Sequence, residues 1–224
     1  MSALVLACGN ATTTASPGPL TDSARSELRE LPARPGRKVL DPVLAEFTGD
    51  RLVVRGDDAD LAAVVLRLMI KDRLAVTVGY LPTEPRTSKI ARLWGLPLDR
   101  PDRLAEVAAT GSARPVPLVR DDAGGVLLGH GVVHRPRGLA FCDDATALHG
   151  AATRIEVAPD TEGGAGLVAR VVWGLFGRKS REFRGRAFQL GCSATTVERD
   201  GVAVEGATKW TWYRHTEDLR LAQP

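Results

Sequence analysis

No run in these 224 residues approaches the roughly 18 uninterrupted apolar positions that a membrane-spanning helix needs, so a helical membrane protein is excluded as a reading. Cysteine is scarce. Cys8, Cys142 and Cys192 are odd in number, widely spaced and without a Cys-x-x-Cys pair, which argues against a disulfide framework and against a zinc ribbon. They read as small apolar residues of a reducing compartment. Charge of one sign is also lacking, since 30 Lys and Arg stand against 27 Asp and Glu for a formal net charge of +3. That balance gives no general pull toward nucleic acid, and any basic surface must be local. The opening Leu4-Val5-Leu6-Ala7-Cys8 has the outline of a lipoprotein cleavage site. No Lys or Arg precedes it, however, and its apolar run of about five residues is short of the expected 7 to 15, so a first β-strand and a cytoplasmic location are the expectation.

What is present is ordinary for a folded chain, with 44% hydrophobic and 25% charged residues. A chain of this length can bury roughly 70% of its unfolded surface and needs no staples. Ser2 to Ala7 reads as a strand, and Gly9-Asn10 with the Ser16-Pro17-Gly18-Pro19 cluster as a long loop. Ala24 to Leu31 is a helix candidate. Lys38 to Leu40 is a strand candidate, with Asp41 and Pro42 as cap and first position of a following helical turn. Leu52-Val53-Val54 forms an apolar strand core. After Gly56-Asp57-Asp58, the residues Leu61, Val64, Val65, Leu68 and Met69 share one helical face. Leu74 to Tyr80 is β-rich and leads into the loop Leu81 to Arg86. Helices are expected over Ser88 to Trp94, with Thr87 as cap, and over Pro101 to Thr110. The alternation of strand and helix predicts an α/β domain over about residues 1–112, with a parallel sheet covered by helices.

Beyond Pro115 the texture changes to short β runs separated by Gly and Asp turns, which predicts an all-β domain over residues 115–224, a sandwich or curled antiparallel sheet. Asp200-Gly201 between apolar residues is a two-residue hairpin signal. Thr208 to Arg214 alternates, with Trp210 and Trp212 on one face.

This layout resembles the diacylglycerol kinase family, including bacterial lipid kinases and the more distant NAD kinases. The resemblance spans residues 50 to 224. The family carries a Gly-Gly-Asp-Gly-Thr loop between a strand and a helix, and Arg55-Gly56-Asp57-Asp58-Ala59 occupies that context here, matching at Gly56 and Asp57. A second family loop, Pro followed by Gly-Thr-Gly-Asn-Asp, corresponds to Pro82-Thr83-Glu84-Pro85-Arg86-Thr87-Ser88, with Ala91-Arg92-Leu93 and Gly95-Leu96-Pro97 after it. The frame matches and the glycines do not. The family's Asp-Gly-Glu hairpin corresponds to Asp200-Gly201-Val202, which keeps the turn and loses the acid.

The resemblance implies a reduced nucleotide-kinase-like α/β domain followed by a β-sandwich. It also implies ATP with Mg2+ as cofactors and phosphoryl transfer to a lipid or small-molecule hydroxyl. It makes Asp57 the catalytic candidate and Arg55, Gly56, Asp58, Thr83, Arg86, Thr87 and Ser88 the cofactor-binding candidates. Phosphate cradles use glycine because backbone N–H groups must approach the oxygens closely, often at positive φ. Arg55, Asp58, Glu84 and Arg86 stand where the family has glycine. A carboxylate about 4 Å from a phosphate repels it by roughly 4 kcal/mol per unit charge at an effective dielectric near 20. Arg55 and Arg86 could offset part of that as phosphate-pairing forks. The expectation is a degenerate, pseudokinase-like binding or regulatory protein with feeble or no transfer. The rival expectation is an active ATP-dependent lipid kinase with a rebuilt nucleotide site.

Other constellations have plainer readings beside sharper ones. Asp57-Asp58, Asp121-Asp122 and Asp143-Asp144 fit the preference of Asp for turns; as a converging set they would suit magnesium. His130 and His134 share a strand face, but no third ligand has a convincing spacing, and no metal site is assigned. Residues 178–186 carry five basic side chains against one acid, which reads as a strand edge protected by charge. The sharper reading is an adaptor that reaches anionic lipid head groups through this run. The Trp210 and Trp212 pair reads as β-domain core rather than a stacking platform.

Overall fold

The computed structural model describes residues 3–12, 26–174 and 179–224. The expected Ser16-to-Pro19 loop, the start of the Ala24-to-Leu31 segment, Phe176 and Arg178 lie outside them. The chain divides into two units, Met1–Val116 with Asp218–Pro224, and Pro117–Glu217.

The first unit is built on six strands, β1 (Ala3–Cys8), β2 (Ser26–Leu31), β3 (Arg51–Gly56), β4 (Thr77–Pro82), β5 (Ser112–Val116) and β16 (Leu219–Gln223), in the order β2-β1-β3-β4-β16-β5. All neighbours run parallel except β16 and β5. Leu52, Val53 and Val54 are fully buried, as a parallel strand covered on both faces requires. The helices are α1 (Arg37–Glu46), α2 (Asp58–Ile70), α3 (Lys89–Leu93) and α4 (Pro101–Thr110). The stripe expected on α2 is the one that is buried: Leu61, Val64, Val65, Leu68 and Met69. A Cβ on Gly79 of β4 would stand 2.1 Å from the Ala108 carbonyl oxygen of α4, so glycine lets helix and strand backbones touch.

Two segments of this unit fold differently from expectation. The segment read as a helix from Ala24 contributes β2, paired residue for residue with β1 from Ala3↔Ser26 to Cys8↔Leu31. Sheet pairing outweighs the weak helical preference of its Glu, Leu and Arg residues. Lys38 to Leu40, read as a strand, lies inside α1, and Pro42 stands within that helix rather than at its first position. The helix is held by its neighbours: Asp41 accepts both Arg67 Nε and Nη2 at 2.8 Å, with Lys71 Nζ at 3.0 Å. Arg73 closes its carboxyl end by donating to the Phe47 carbonyl at 2.7 Å and to that of Leu44.

The second unit is one antiparallel sheet of ten strands. They are β6 (Val119–Asp121), β7 (Val126–Leu127), β8 (Gly131–His134), β9 (Arg137–Cys142), β10 (Ala145–Ala151), β11 (Arg154–Pro159), β12 (Leu167–Trp173), β13 (Lys179–Gly185), β14 (Ala187–Arg199) and β15 (Val202–Arg214). The sheet curls round a single core that draws on β6 through β15, including Ile155, Val171, Phe188, Leu190 and Trp212. Trp210 and Trp212 belong to that core, 5.7 Å apart edge to face, as their alternation predicts. The Asp200-Gly201 hairpin joins β14 to β15 with both residues at positive φ, 41° and 82°.

Candidate functional site

In open α/β sheets, ligands bind beyond the carboxyl ends of the parallel strands. Here β3 and β4 end in register at Gly56↔Pro82, and the Thr83 N–H donates to the Gly56 carbonyl at 3.0 Å. The two loops singled out in the sequence are therefore neighbours. Asp57 caps α2: its carboxylate accepts the Asp60 N–H at 2.7 Å, and the Asp60 carboxylate accepts the Asp57 N–H at 3.0 Å. This is a reciprocal capping box built from two aspartates. Asp60 is buried, and its other oxygen accepts the Arg34 N–H at 2.6 Å. Burial raises its pKa above the usual carboxylate range, opposed by those two backbone donors. A Cβ on Gly56 would come within 2.5 Å of an Asp60 oxygen, so the capping box itself demands glycine there. At the end of β1, burial, with Asp60 and Asp57 adding to it, pushes the Cys8 thiol up to about 12, and it stays protonated.

Asp58 has a different task. One oxygen accepts the Tyr80 hydroxyl at 2.8 Å and the Ser88 hydroxyl at 2.6 Å; the other accepts the Lys89 N–H at 2.8 Å and the Ile90 N–H at 3.3 Å. Ser88 in turn accepts the Ala91 N–H at 3.0 Å and is the cap of α3. The cap is one residue later than expected, because the Thr87 hydroxyl donates to the Glu84 carbonyl of its own loop. Burial, then the Asp58 charge beside it, raises the pKa of the Tyr80 phenol, so it remains a donor.

Of the candidate residues, Gly56 and Ser88 are buried, Arg55, Asp58 and Thr83 are half-buried, and Asp57, Arg86 and Thr87 are exposed. The structure joins Asp58 to Ser88 and Gly56 to Thr83. Arg86 and Thr87 bond within their own segment: Arg86 supplies its carbonyl to Arg92 Nη2 at 2.6 Å, and Thr87 donates to Glu84. Sequence reasoning missed Asp60, Tyr80 and the Lys89 and Ile90 amides. The Asp57-x-x-Asp60 spacing was a signal for the first of these, being a capping-box interval. The chain's own carboxylates thus take the Asp60 N–H in the first turn of α2 and the Lys89 and Ile90 N–H groups in that of α3.

The remaining aspartate pairs also hold backbone. Asp121 accepts the Gly125 N–H at 2.8 Å and pairs with Arg199, Asp122 accepts the Thr211 N–H at 3.2 Å, and Asp143 accepts the Arg186 and Ala187 N–H groups at 3.0 and 2.9 Å. Asp200 accepts three, from Leu128, Gly129 and His130. His134 lies 3.6 Å from Glu198. Among the described residues no group of three His, Cys, Asp or Glu side chains is arranged to hold a metal ion, and no helix is long and apolar enough to cross a membrane. Within the basic run, Arg184 is engaged by Asp160, Glu162 and Glu182 at 2.9 to 3.1 Å, and Arg181 lies over the Phe183 ring at 4.8 Å.

No protein-family model matches the sequence, and no curated protein matches it. Solved structures do match in fold. A diacylglycerol kinase from Bacillus anthracis str. Sterne aligns over 100% of this chain and 97% of its own, with a TM-score of 0.67 at 13% identity. A further structure from that bacterium reaches 0.73 at 12% identity over the same shares. An NAD kinase from Archaeoglobus fulgidus in complex with ATP aligns over 100% of this chain and 94% of its own, with a TM-score of 0.63 at 14% identity. The chain has the fold of the diacylglycerol kinases, which the NAD kinase shares.

Proposed function

We propose that this chain is a diacylglycerol kinase-like protein that has given up phosphoryl transfer and acts as a binding or regulatory protein. The observation that carries this reading is the Asp58 carboxylate. It takes the Lys89 and Ile90 N–H groups at the start of α3 together with the Tyr80 and Ser88 hydroxyls, while Asp57 and Asp60 take each other's N–H groups. A triphosphate entering these loops would have to displace carboxylates from bonds they already make, and would meet like charge where the family has glycine. The residues present do not fit ATP with Mg2+ in the family's manner.

The second reading, an ATP-dependent lipid kinase with a rebuilt site, draws on the exposed position of Asp57 at the end of β3. Arg55 and Arg86 would then pair with phosphate. Calorimetric titration with Mg-ATP separates the two. No saturable heat at millimolar nucleotide is expected; micromolar binding, with lipid phosphorylation lost in Asp57→Asn, would replace the first reading by the second. An adaptor role for residues 178–186 draws on Lys179, Arg181 and Arg186, Arg184 being occupied by three acids.

A further inference from the structure

Two large apolar side chains, Leu139 and Phe141, stand 41% and 36% exposed on the same face of β9. The other large exposed hydrophobic side chains among the described residues, Leu28, Val39 and Ile70, lie on three separate elements. The strand register fixes the surroundings of the pair. Leu139 is opposite His149 of β10 and Gly191 of β14, and Gly191 is opposite Lys209 of β15, so Lys209, Gly191, Leu139 and His149 form one row across four strands. At about 4.8 Å per strand, that row spans roughly 14 Å. The next row is Thr211, Gln189, Phe141 and Thr146, and Arg137 lies two residues before Leu139 on the same face. Gly150 and Gly191 have nothing where a Cβ would stand, which opens a groove of about 570 Å³ beside Leu139 lined by Arg137, His149 and Cys192. No carboxylate lines it, and Arg137 and Lys209 make no ion pair among the described residues. Asp122, at the β15 margin, is held on the Thr211 N–H.

We infer that this outer face of the second unit docks on a lipid bilayer bearing anionic head groups, with Leu139 and Phe141 entering the interface and Arg137 and Lys209 meeting phosphates. An apolar centre flanked by cations is the composition that interfacial binding rewards, through burial of apolar area and attraction to surface charge. A second copy of the chain is a poorer occupant. A two-fold contact of this patch on itself would bring the Arg137 and Lys209 of one copy near those of the other. Nucleic acid would match the cations and leave the leucine and phenylalanine without reward.

The inference goes beyond the reading of the strand-end loops and does not depend on it, because nucleotide titration and membrane binding probe different residues. The test is co-sedimentation of the full chain with phosphatidylcholine vesicles, with and without phosphatidylglycerol, at low and at high salt. Binding is expected on the anionic vesicles alone and should weaken as salt rises. Leu139→Ser with Phe141→Ser, and separately Arg137→Glu with Lys209→Glu, should each lower partitioning at least about tenfold. All four positions are exposed, and near-ultraviolet circular dichroism checks that the variants fold. Lys179→Glu with Arg181→Glu should leave partitioning unchanged. Wild type that stays in the supernatant at low salt overturns the inference. So does loss of binding confined to the Lys179 and Arg181 variant, or a dimer in light scattering that disappears in the Leu139 and Phe141 variant.

Discussion

The Ser88 hydroxyl donates to the Asp58 carboxylate at 2.6 Å across thirty residues of sequence. That bond makes one carboxylate both a first-turn residue of α2 and a second cap for α3. Removing the carboxylate takes from the Tyr80 hydroxyl, in a residue only 1% exposed, the acceptor it reaches at 2.8 Å. Asp58→Ala should therefore destabilise the chain by about 2 to 3 kcal/mol, the range for orphaning buried donors together with a lost cap. Urea denaturation with an unchanged m-value would record it. Asp58→Gly, which restores the family's residue, should show the same loss of stability, and by freeing these donors and removing the like charge it should raise the affinity for Mg-ATP above that of wild type.

Asp41 gives a pH dependence with a definite sign. Hydrogen bonding to Arg67, with Lys71 adding to it, lowers its pKa below 3.8 in the folded state. A carboxyl whose folded pKa is depressed contributes stability above its unfolded pKa and loses it as pH falls through the folded one. The melting temperature should thus fall below about pH 4 more steeply in wild type than in Asp41→Asn, which has nothing to protonate there. Parallel melting curves of the two proteins from neutral pH to pH 3 would contradict this assignment.

The extent to which the sequence foretold this molecule follows from the range of the interactions involved. The α2 stripe, Pro101 at the start of α4 and the Asp200-Gly201 turn are local signals, written within a few residues, and each stands where the pattern put it. The β2 segment carries no such signal: Ser-Glu-Leu-Arg-Glu-Leu suits a helix as well as an edge strand, and only its pairing with β1 decides. In the same way, nothing in Leu219–Gln223 says which sheet it joins, and β16 lies between β4 and β5 of the first. Asp57 and Asp58 were visible as chemically loaded residues. The partners of Asp58 were not, because Tyr80, Ser88 and the Lys89 amide are 22 to 31 residues away.

Glycines offer a paired test of packing. Gly79 faces backbone, the Ala108 carbonyl, which cannot move without shifting α4. Gly191 has open space where its Cβ would stand and shows no positive φ. Gly79→Ala should cost more than about 2 kcal/mol, as overpacking against fixed atoms does. Gly191→Ala should be neutral or stabilise by up to about 1 kcal/mol through the unfolded chain. Equal effects of the two substitutions on chemical denaturation would mean that β4 and α4 are not in such close contact.

Asp200 stands at φ 41° in the β14–β15 turn, is 2% exposed, and holds the Leu128, Gly129 and His130 N–H groups at 2.7 to 3.0 Å. Two properties are combined in one residue, tolerance of a left-handed backbone and a carboxylate that fastens the segment before β8. Three substitutions separate them. Asp200→Gly keeps the backbone freedom and drops the acceptors; Asp200→Asn keeps the freedom and one acceptor oxygen; Asp200→Ala loses both. Charge-assisted bonds to buried backbone donors are the larger contribution, so the order of stability should be wild type, then Asn, then Gly, then Ala, with a loss of about 3 kcal/mol or more for Ala. Hydrogen exchange at the Leu128, Gly129 and His130 amides gives the second readout: all three should lose protection in the Gly variant while amides at the centre of β14 and β15 keep theirs. A Gly variant as stable as wild type would mean that only the turn conformation matters and that the 128–130 segment is held by other contacts.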